Sequence, residues 1–133
     1  MRTSLRILIL IIMLVSIISS NVSAIVLEKD EDGNNYLADR HGMPLYYFVN
    51  DDPNSGISNC YGGCSNVWIP LEETATSSMP SPLKLEDFGS IFRSDDKFQT
   101  TYKGRPLYTY SGDSRDGTPN GHGKDHIWFL MRP

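Results

Sequence analysis

The side chains that could do chemistry in this sequence are few: two cysteines, three histidines and a pair of repeated aspartates. Cys60 and Cys64 are spaced C-x-x-x-C around Gly62 and Gly63, and glycine lets a short loop bring two sulfurs within bonding reach. In an exported chain that spacing predicts a disulfide. So small a loop closes little chain entropy, so the bond is worth about 2 kcal/mol and serves mainly to fix the loop ahead of Trp68. A redox-active pair is the alternative, but it uses C-x-x-C beside a helix N-terminus, and neither is evident here. Covalent haem needs a histidine where Ser65 follows Cys64.

His122 and His126 flank Gly123-Lys124-Asp125. Two imidazoles with the Asp125 carboxylate between them are donors suited to zinc, copper or nickel. On a helix they would share a face, but Gly121 and Gly123 argue against one, and no third ligand is certain. The expectation is therefore surface histidines and no cofactor, with a transition-metal or haem carrier as the alternative. Asp51 and Asp113 would form a coupled acid and base if symmetry brought them together. Each stands ahead of a turn-rich segment, however, and the expected role is capping, by accepting backbone N–H bonds two residues on. The Asp113-x-x-Asp116-Gly117 run lacks the alternating ligands and closing glutamate of a calcium loop. Nucleophile elbows, zinc-protease motifs and phosphate-cradling loops are missing as well, so no catalytic residue is predicted.

The elements that must position these groups come in duplicate. Gly42, Pro44, Leu45, Tyr46, Phe48 and Asp51 recur 62 residues later as Gly104, Pro106, Leu107, Tyr108, Tyr110 and Asp113. Both copies then pass through a loop rich in glycine and asparagine into an apolar run centred on Trp68 or Trp128. A repeated unit of this kind predicts two halves packed about a pseudo-twofold axis. Tyr46 and Phe48, like Tyr108 and Tyr110, lie two apart and so project from one face of a strand. Aromatic and β-branched runs separated by turn residues give an all-β expectation: a small antiparallel domain, sandwich-like or barrel-like. Repeat 1 covers about 34–72, a connector rich in Ser, Thr and Pro covers 73–88, and repeat 2 covers about 89–131. A hairpin is expected at Asp95-Asp96-Lys97. The aromatic ladder of Tyr46, Tyr47, Phe48, Tyr108, Tyr110, Trp68 and Trp128 is expected to be core, with any exposed ring free to stack on a sugar or peptide.

The N-terminus carries Arg2 and Arg6 before an apolar stretch from Ile7 to Ile18, too short to span a bilayer as a helix, then Val22-Ser23-Ala24. This is the layout of a secretory signal over 1–24, leaving a single domain at 25–133. The whole chain is acidic, with 16 acidic residues against 12 basic ones, and loss of Arg2 and Arg6 makes the mature part more so. That sign argues against nucleic acid and anionic lipid as partners.

The motif Tyr-x-aromatic-x-x-Asp appears as Tyr46 to Asp51 and again as Tyr108 to Asp113. Together with Cys60-Tyr61-Gly62-Gly63-Cys64 leading to Trp68-Ile69-Pro70-Leu71, Gln99-Thr100-Thr101-Tyr102-Lys103-Gly104-Arg105-Pro106-Leu107-Tyr108, and Asn120-Gly121-His122-Gly123 leading to Trp128, it resembles a family of secreted repeats. Members of that family are often described as predicted lipoproteins with a Yx(FWY)xxD motif. The resemblance implies an extracytoplasmic β-rich protein of the cell envelope and no particular activity. Two departures stand out. The lipid-anchor cysteine is absent, and Asp95-Asp96 stands where the family tends to have Asp-Gly, so that this hairpin turn is expected to differ in type. The functional expectation is a noncatalytic envelope or extracellular module that binds an unknown protein or polymer. A metal or haem carrier and a thiol-disulfide protein are the alternatives.

Overall fold

The computed structural model describes residues 24–73 and 79–133. The expected signal segment through residue 23 and the 74–78 stretch of the connector lie outside the described residues. Repeat 1 contributes β1 (Ile25–Lys29), β2 (Asn35–Asp39), β3 (Tyr46–Phe48), a one-turn helix α1 (Gly63–Val67) and β4 (Trp68–Pro70). After a 3-10 turn at Leu85–Asp87, repeat 2 contributes β5 (Phe88–Phe92), β6 (Phe98–Tyr102), β7 (Arg105–Pro106), β8 (Tyr108–Tyr110) and β9 (Trp128–Leu130). Among the described residues no helix is long and apolar enough to cross a membrane.

All pairings between strands are antiparallel. Three open sheets pack in a sandwich-like arrangement: β1-β2, β5-β6-β7, and a central sheet in the order β4-β8-β3-β9. That order interlocks the repeats. Strand β3 of repeat 1 pairs with β9 of repeat 2, while β8 of repeat 2 pairs with β4 of repeat 1. At the centre β3 meets β8, with Tyr46 directly opposite Tyr108. Neither repeat therefore completes the central sheet with its own strands.

The outer hairpins β1-β2 and β5-β6 are counterparts, so the first repeat begins at Ile25, before the duplicated motif becomes visible in the sequence. Their backbone bonds set the correspondence. Leu45 donates to Leu37, Met131 to Leu45 and Leu37 to Met131, and in the other half Leu107 donates to Thr100, Leu71 to Leu107 and Thr100 to Leu71. Leu37 thus matches Thr100 rather than Gln99, because the turn after β2 is one residue longer than the turn after β6. Each of these triangles takes one member from the opposite repeat, a second interlock made of main chain.

The Asp95-Asp96 hairpin has the same turn as its counterpart, contrary to the expectation from the missing glycine. Gly33 donates to Asp30 and Asp30 to Asn34 in repeat 1, and Asp96 donates to Arg93 and Arg93 to Lys97 in repeat 2. Asp96 adopts φ 63, the left-handed conformation that Gly33 takes at φ 81. Aspartate tolerates that region better than most residues with a side chain, which is why the turn survives the change.

Two hydrophobic clusters flank the central sheet. One holds Tyr46, Phe48, Trp68, Tyr108, Trp128 and Cys60; the other holds Ile25, Leu37, Leu45, Leu71, Leu107 and Met131. Alternation along β3 and β8 sends the motif tyrosines to the first cluster and leaves Tyr47 packed against the second.

Candidate functional site

The motif residues converge across the repeat boundary. Tyr46 Oη of repeat 1 donates to Asp113 Oδ2 of repeat 2 at 2.9 Å, and Tyr108 Oη of repeat 2 donates to Asp51 Oδ2 of repeat 1 at 2.6 Å. Each aspartate uses its other oxygen within its own loop: Asp51 Oδ1 accepts from Asn59 N–H at 2.7 Å and Asp113 Oδ1 from Asn120 N–H at 2.7 Å. The asparagine amides close the loops in turn, Asn59 Nδ2 on the Asn50 carbonyl and Asn120 Nδ2 on the Gly112 carbonyl. The aspartates do organise their loops, but by reaching eight and seven residues ahead rather than two. A loop closed over that span holds its shape through the carboxylate, since few of its own main-chain groups can meet.

The spacing shared by the two copies now has a physical account. Gly42 and Gly104 adopt φ 80 and φ 77, and each abuts the opposite repeat's loop. Asn54 N–H donates to the Gly104 carbonyl at 3.0 Å, and a side chain on Gly104 would collide with Asn54. At the matching place a side chain on Gly117 would collide with the Gly42 carbonyl, 2.7 Å away. Four residues later the tyrosine enters the core, and five further on the aspartate receives the other copy's hydroxyl.

Four rings stack across the repeat boundary: Phe48 on Trp128 at 4.3 Å, Trp128 on Trp68 at 4.0 Å with planes 3° apart, and Trp68 on Tyr110 at 4.3 Å. Phe48 and Tyr110 are counterparts, and each lies on the other repeat's tryptophan. Tyr46 and Tyr108 meet their own repeat's indole edge-on, at 5.3 and 5.1 Å. Edge-to-face and offset contacts of this kind add to the burial of the rings.

Burial pushes the Asp51 and Asp113 carboxyls above the usual carboxylate range, against the lowering pull of their hydrogen bonds. Burial likewise raises the Tyr46 and Tyr108 phenols far out of reach of physiological titration. These phenols are donors held neutral, and neither is poised as a base.

The two halves differ in what surrounds the pair. In repeat 1 the Tyr108 hydroxyl also meets Ser58 Oγ at 2.7 Å. Ser58 Oγ already accepts from Cys60 N–H and from Arg93 Nη1. Its own proton therefore goes to Tyr108, giving a directed chain Arg93 to Ser58 to Tyr108 to Asp51. Arg93 is 1% exposed. Its remaining donors go to Gln99 Oε1, the Cys60 carbonyl and the Asp95 carboxylate, and its guanidinium lies 4.4 Å from the Tyr61 ring. In repeat 2 the tyrosine hydroxyl instead accepts from Gly121 N–H at 3.1 Å. Nothing in the sequence pointed to Arg93, whose counterpart is Asp30, paired with Arg132 at 2.8 Å. Asn59 and Asn120 were visible only as loop residues common to both copies.

The Cys60 and Cys64 sulfurs stand 2.04 Å apart. Cys60 lies fully inside the first core cluster, and Cys64 sits in α1, a single turn that the sequence did not announce. His122 Nδ1 accepts the Leu130 N–H at 3.0 Å, which commits one of its two ring nitrogens. Asp125 and His126 adopt left-handed φ of 52 and 59 in an exposed turn. Among the described residues no three or more His, Cys, Asp or Glu side chains gather as metal ligands would.

Two clefts lie at matching positions, each between one repeat's outer hairpin and the other repeat's aspartate loop. The first, about 460 Å³, is acidic, with Glu28, Asp30, Glu31, Asp32 and Asp116 around Tyr36. The second, about 490 Å³, is lined by Ile57, Ser58, Asn59, Tyr61, Phe92 and Arg93 among others. Beside it Phe92 and Phe98 form an exposed pair 5.0 Å apart, where the first hairpin has Lys29 bonded to Asn35.

Comparison with curated proteins and with solved structures finds no match. Residues 28–72 and 89–131 each match one family, described as a secreted repeat of unknown function. Those two segments coincide with the two interlocked halves and cover most of the chain. The chain is an extracytoplasmic protein with two copies of that unit, and it belongs to the family of secreted repeats of unknown function.

Proposed function

We propose that this protein is a noncatalytic extracellular or cell-envelope module that presents binding surfaces on an interlocked two-repeat frame. The observation that carries this reading is the use of the motif itself. The Tyr46 and Tyr108 hydroxyls and the Asp51 and Asp113 carboxylates, the groups that define the Tyr-x-aromatic-x-x-Asp unit, are engaged with the opposite repeat or their own loop, so these four are committed to the frame. The variation falls instead in the two matching clefts, one acidic and one of mixed lining beside an exposed phenylalanine pair. A frame that stays the same while its clefts diverge suits recognition better than turnover.

The test is recovery of a partner from envelope extracts on the immobilised mature protein, compared with a Phe92→Ser/Phe98→Ser variant of matched stability. A partner retained by the parent and lost from the variant supports the reading. Recovery of no partner, together with measurable turnover of an extracytoplasmic substrate, would overturn it.

A further inference from the structure

We infer that the Cys60–Cys64 pair is a thiol-exchange site in which external thiols attack Cys64 while Cys60 serves as the buried resolving sulfur. The two sulfurs have unlike surroundings. Cys60 is 0% exposed and packs in the core cluster with Trp68, whereas Cys64 is only partly buried, on a one-turn helix flanked by exposed Gly62 and Gly63. Attack on a disulfide needs an open approach to the sulfur attacked, and only Cys64 offers one.

The step balances as follows. An external thiolate bonds to Cys64 Sγ, the Cys60–Cys64 bond breaks, and its electron pair leaves on Cys60 Sγ, which takes a proton from solvent. The products are a mixed disulfide at Cys64 and a thiol at Cys60. In the reverse step Cys60, deprotonated, attacks Cys64 Sγ and expels the external thiolate. If a second external thiol attacks the mixed disulfide first, both cysteines end reduced and the external thiols end as their disulfide.

Cys60 is held for the return step by groups that do not depend on the bond. Its N–H donates to Ser58 Oγ, its carbonyl accepts from Arg93 Nη2 at 2.7 Å, and its sulfur faces the Trp68 carbonyl at 3.9 Å. Opening the bond therefore frees the Cys64 sulfur while the resolving sulfur stays in place. Repeat 2 has Gly121 at the matching position after Asn120 and carries no such site.

The test uses the intact, oxidised mature protein with excess reduced glutathione at neutral pH and no denaturant, quenched with iodoacetamide and read by peptide mass mapping. The expected result is glutathione on Cys64 and carbamidomethyl on Cys60, with the near-ultraviolet circular dichroism of the tryptophan stack kept. With oxidised glutathione, Cys60→Ser should accumulate a stable Cys64 adduct. Cys64→Ser should react more slowly by on the order of a hundredfold, since Cys60 is reached only by local opening of the core. Glutathione on Cys60, or no reaction until denaturant is added, would overturn the assignment. Mapping on the unmodified sequence decides the matter even where a serine variant does not fold.

Discussion

The Tyr108 hydroxyl and the Asp51 carboxylate, from opposite repeats and 57 positions apart in the chain, share a 2.6 Å hydrogen bond. Its symmetry mate, Tyr46 to Asp113, is 2.9 Å long and sits nearer the surface. Removing a hydroxyl that satisfies a buried charged acceptor costs about 1–3 kcal/mol. Tyr108→Phe is expected to fall in the upper part of that range, because Asp51 is 0% exposed and Ser58 loses its acceptor as well. Tyr46→Phe is expected to cost less. Urea unfolding of both variants checks the order; equal and negligible losses would show that the pairs do not hold the repeats together.

The pH dependence of stability follows from the same carboxyls. Burial raises the folded-state pKa of Asp51 and Asp113 above the unfolded value near 3.8. A raised group contributes stability that is fully present below the unfolded pKa and is lost as pH rises through the folded one. Asp30, Asp95 and Asp116 act with the opposite sign, being lowered chiefly by the Asn34 N–H, the Arg93 guanidinium and the Ser114 hydroxyl respectively. The clean measurement is therefore a difference. The stability of the parent minus that of Asp51→Asn should decline as pH rises from 3.8 through the raised pKa and then level off. Parallel stability curves across that range would contradict the burial of this carboxylate.

Because β3 finds β9, and β4 finds β8, only in the other repeat, an isolated half lacks both partners for its inner strands. Fragments 25–73 and 79–133 are expected to be unfolded alone and to regain the near-ultraviolet dichroism of the stacked tryptophans when mixed. A folded single fragment, seen as dispersed amide resonances, would mean that the repeat is self-sufficient.

Gly121 packs closely against two rings of the stack. A side-chain carbon there would stand 2.7 Å from the Trp68 ring and 3.0 Å from Tyr110, and its backbone needs no left-handed φ. Gly121→Ala is thus a steric probe alone, with an expected loss of about 1–3 kcal/mol from overpacking. Thermal unfolding reads that loss, and an unchanged midpoint would show that the ring stack can slide.

Much of the architecture was legible in the sequence because it rests on local rules. Residues two apart on a strand share a face, so Tyr46 with Phe48 and Tyr108 with Tyr110 announced strands. Identical residues at a fixed offset announced duplication. The one-residue slip at Leu37 and Thr100 was not legible, since turn length leaves no mark when the flanking residues differ. Nor was the shared turn at Asp96, where aspartate occupies a conformation usually left to glycine. Among the chemically interesting residues, the cysteine pair could be read from its spacing and glycines, but the inequality of its two sulfurs could not.

By itself the sequence determined the composition of each unit: which residues repeat, which alternate, and that the product is β-rich and exported. Only the tertiary structure decided what those residues meet. Tyr108 bonds Asp51 and Tyr46 bonds Asp113 because the central sheet exchanges strands between repeats, and exchange depends on burial across the whole interface rather than on any local preference. Arg93 acquired its partners in the same way: a guanidinium leaves water only where several acceptors converge, and here Ser58 and Cys60 of one loop, Asp95 of the hairpin turn and Gln99 of β6 supply them.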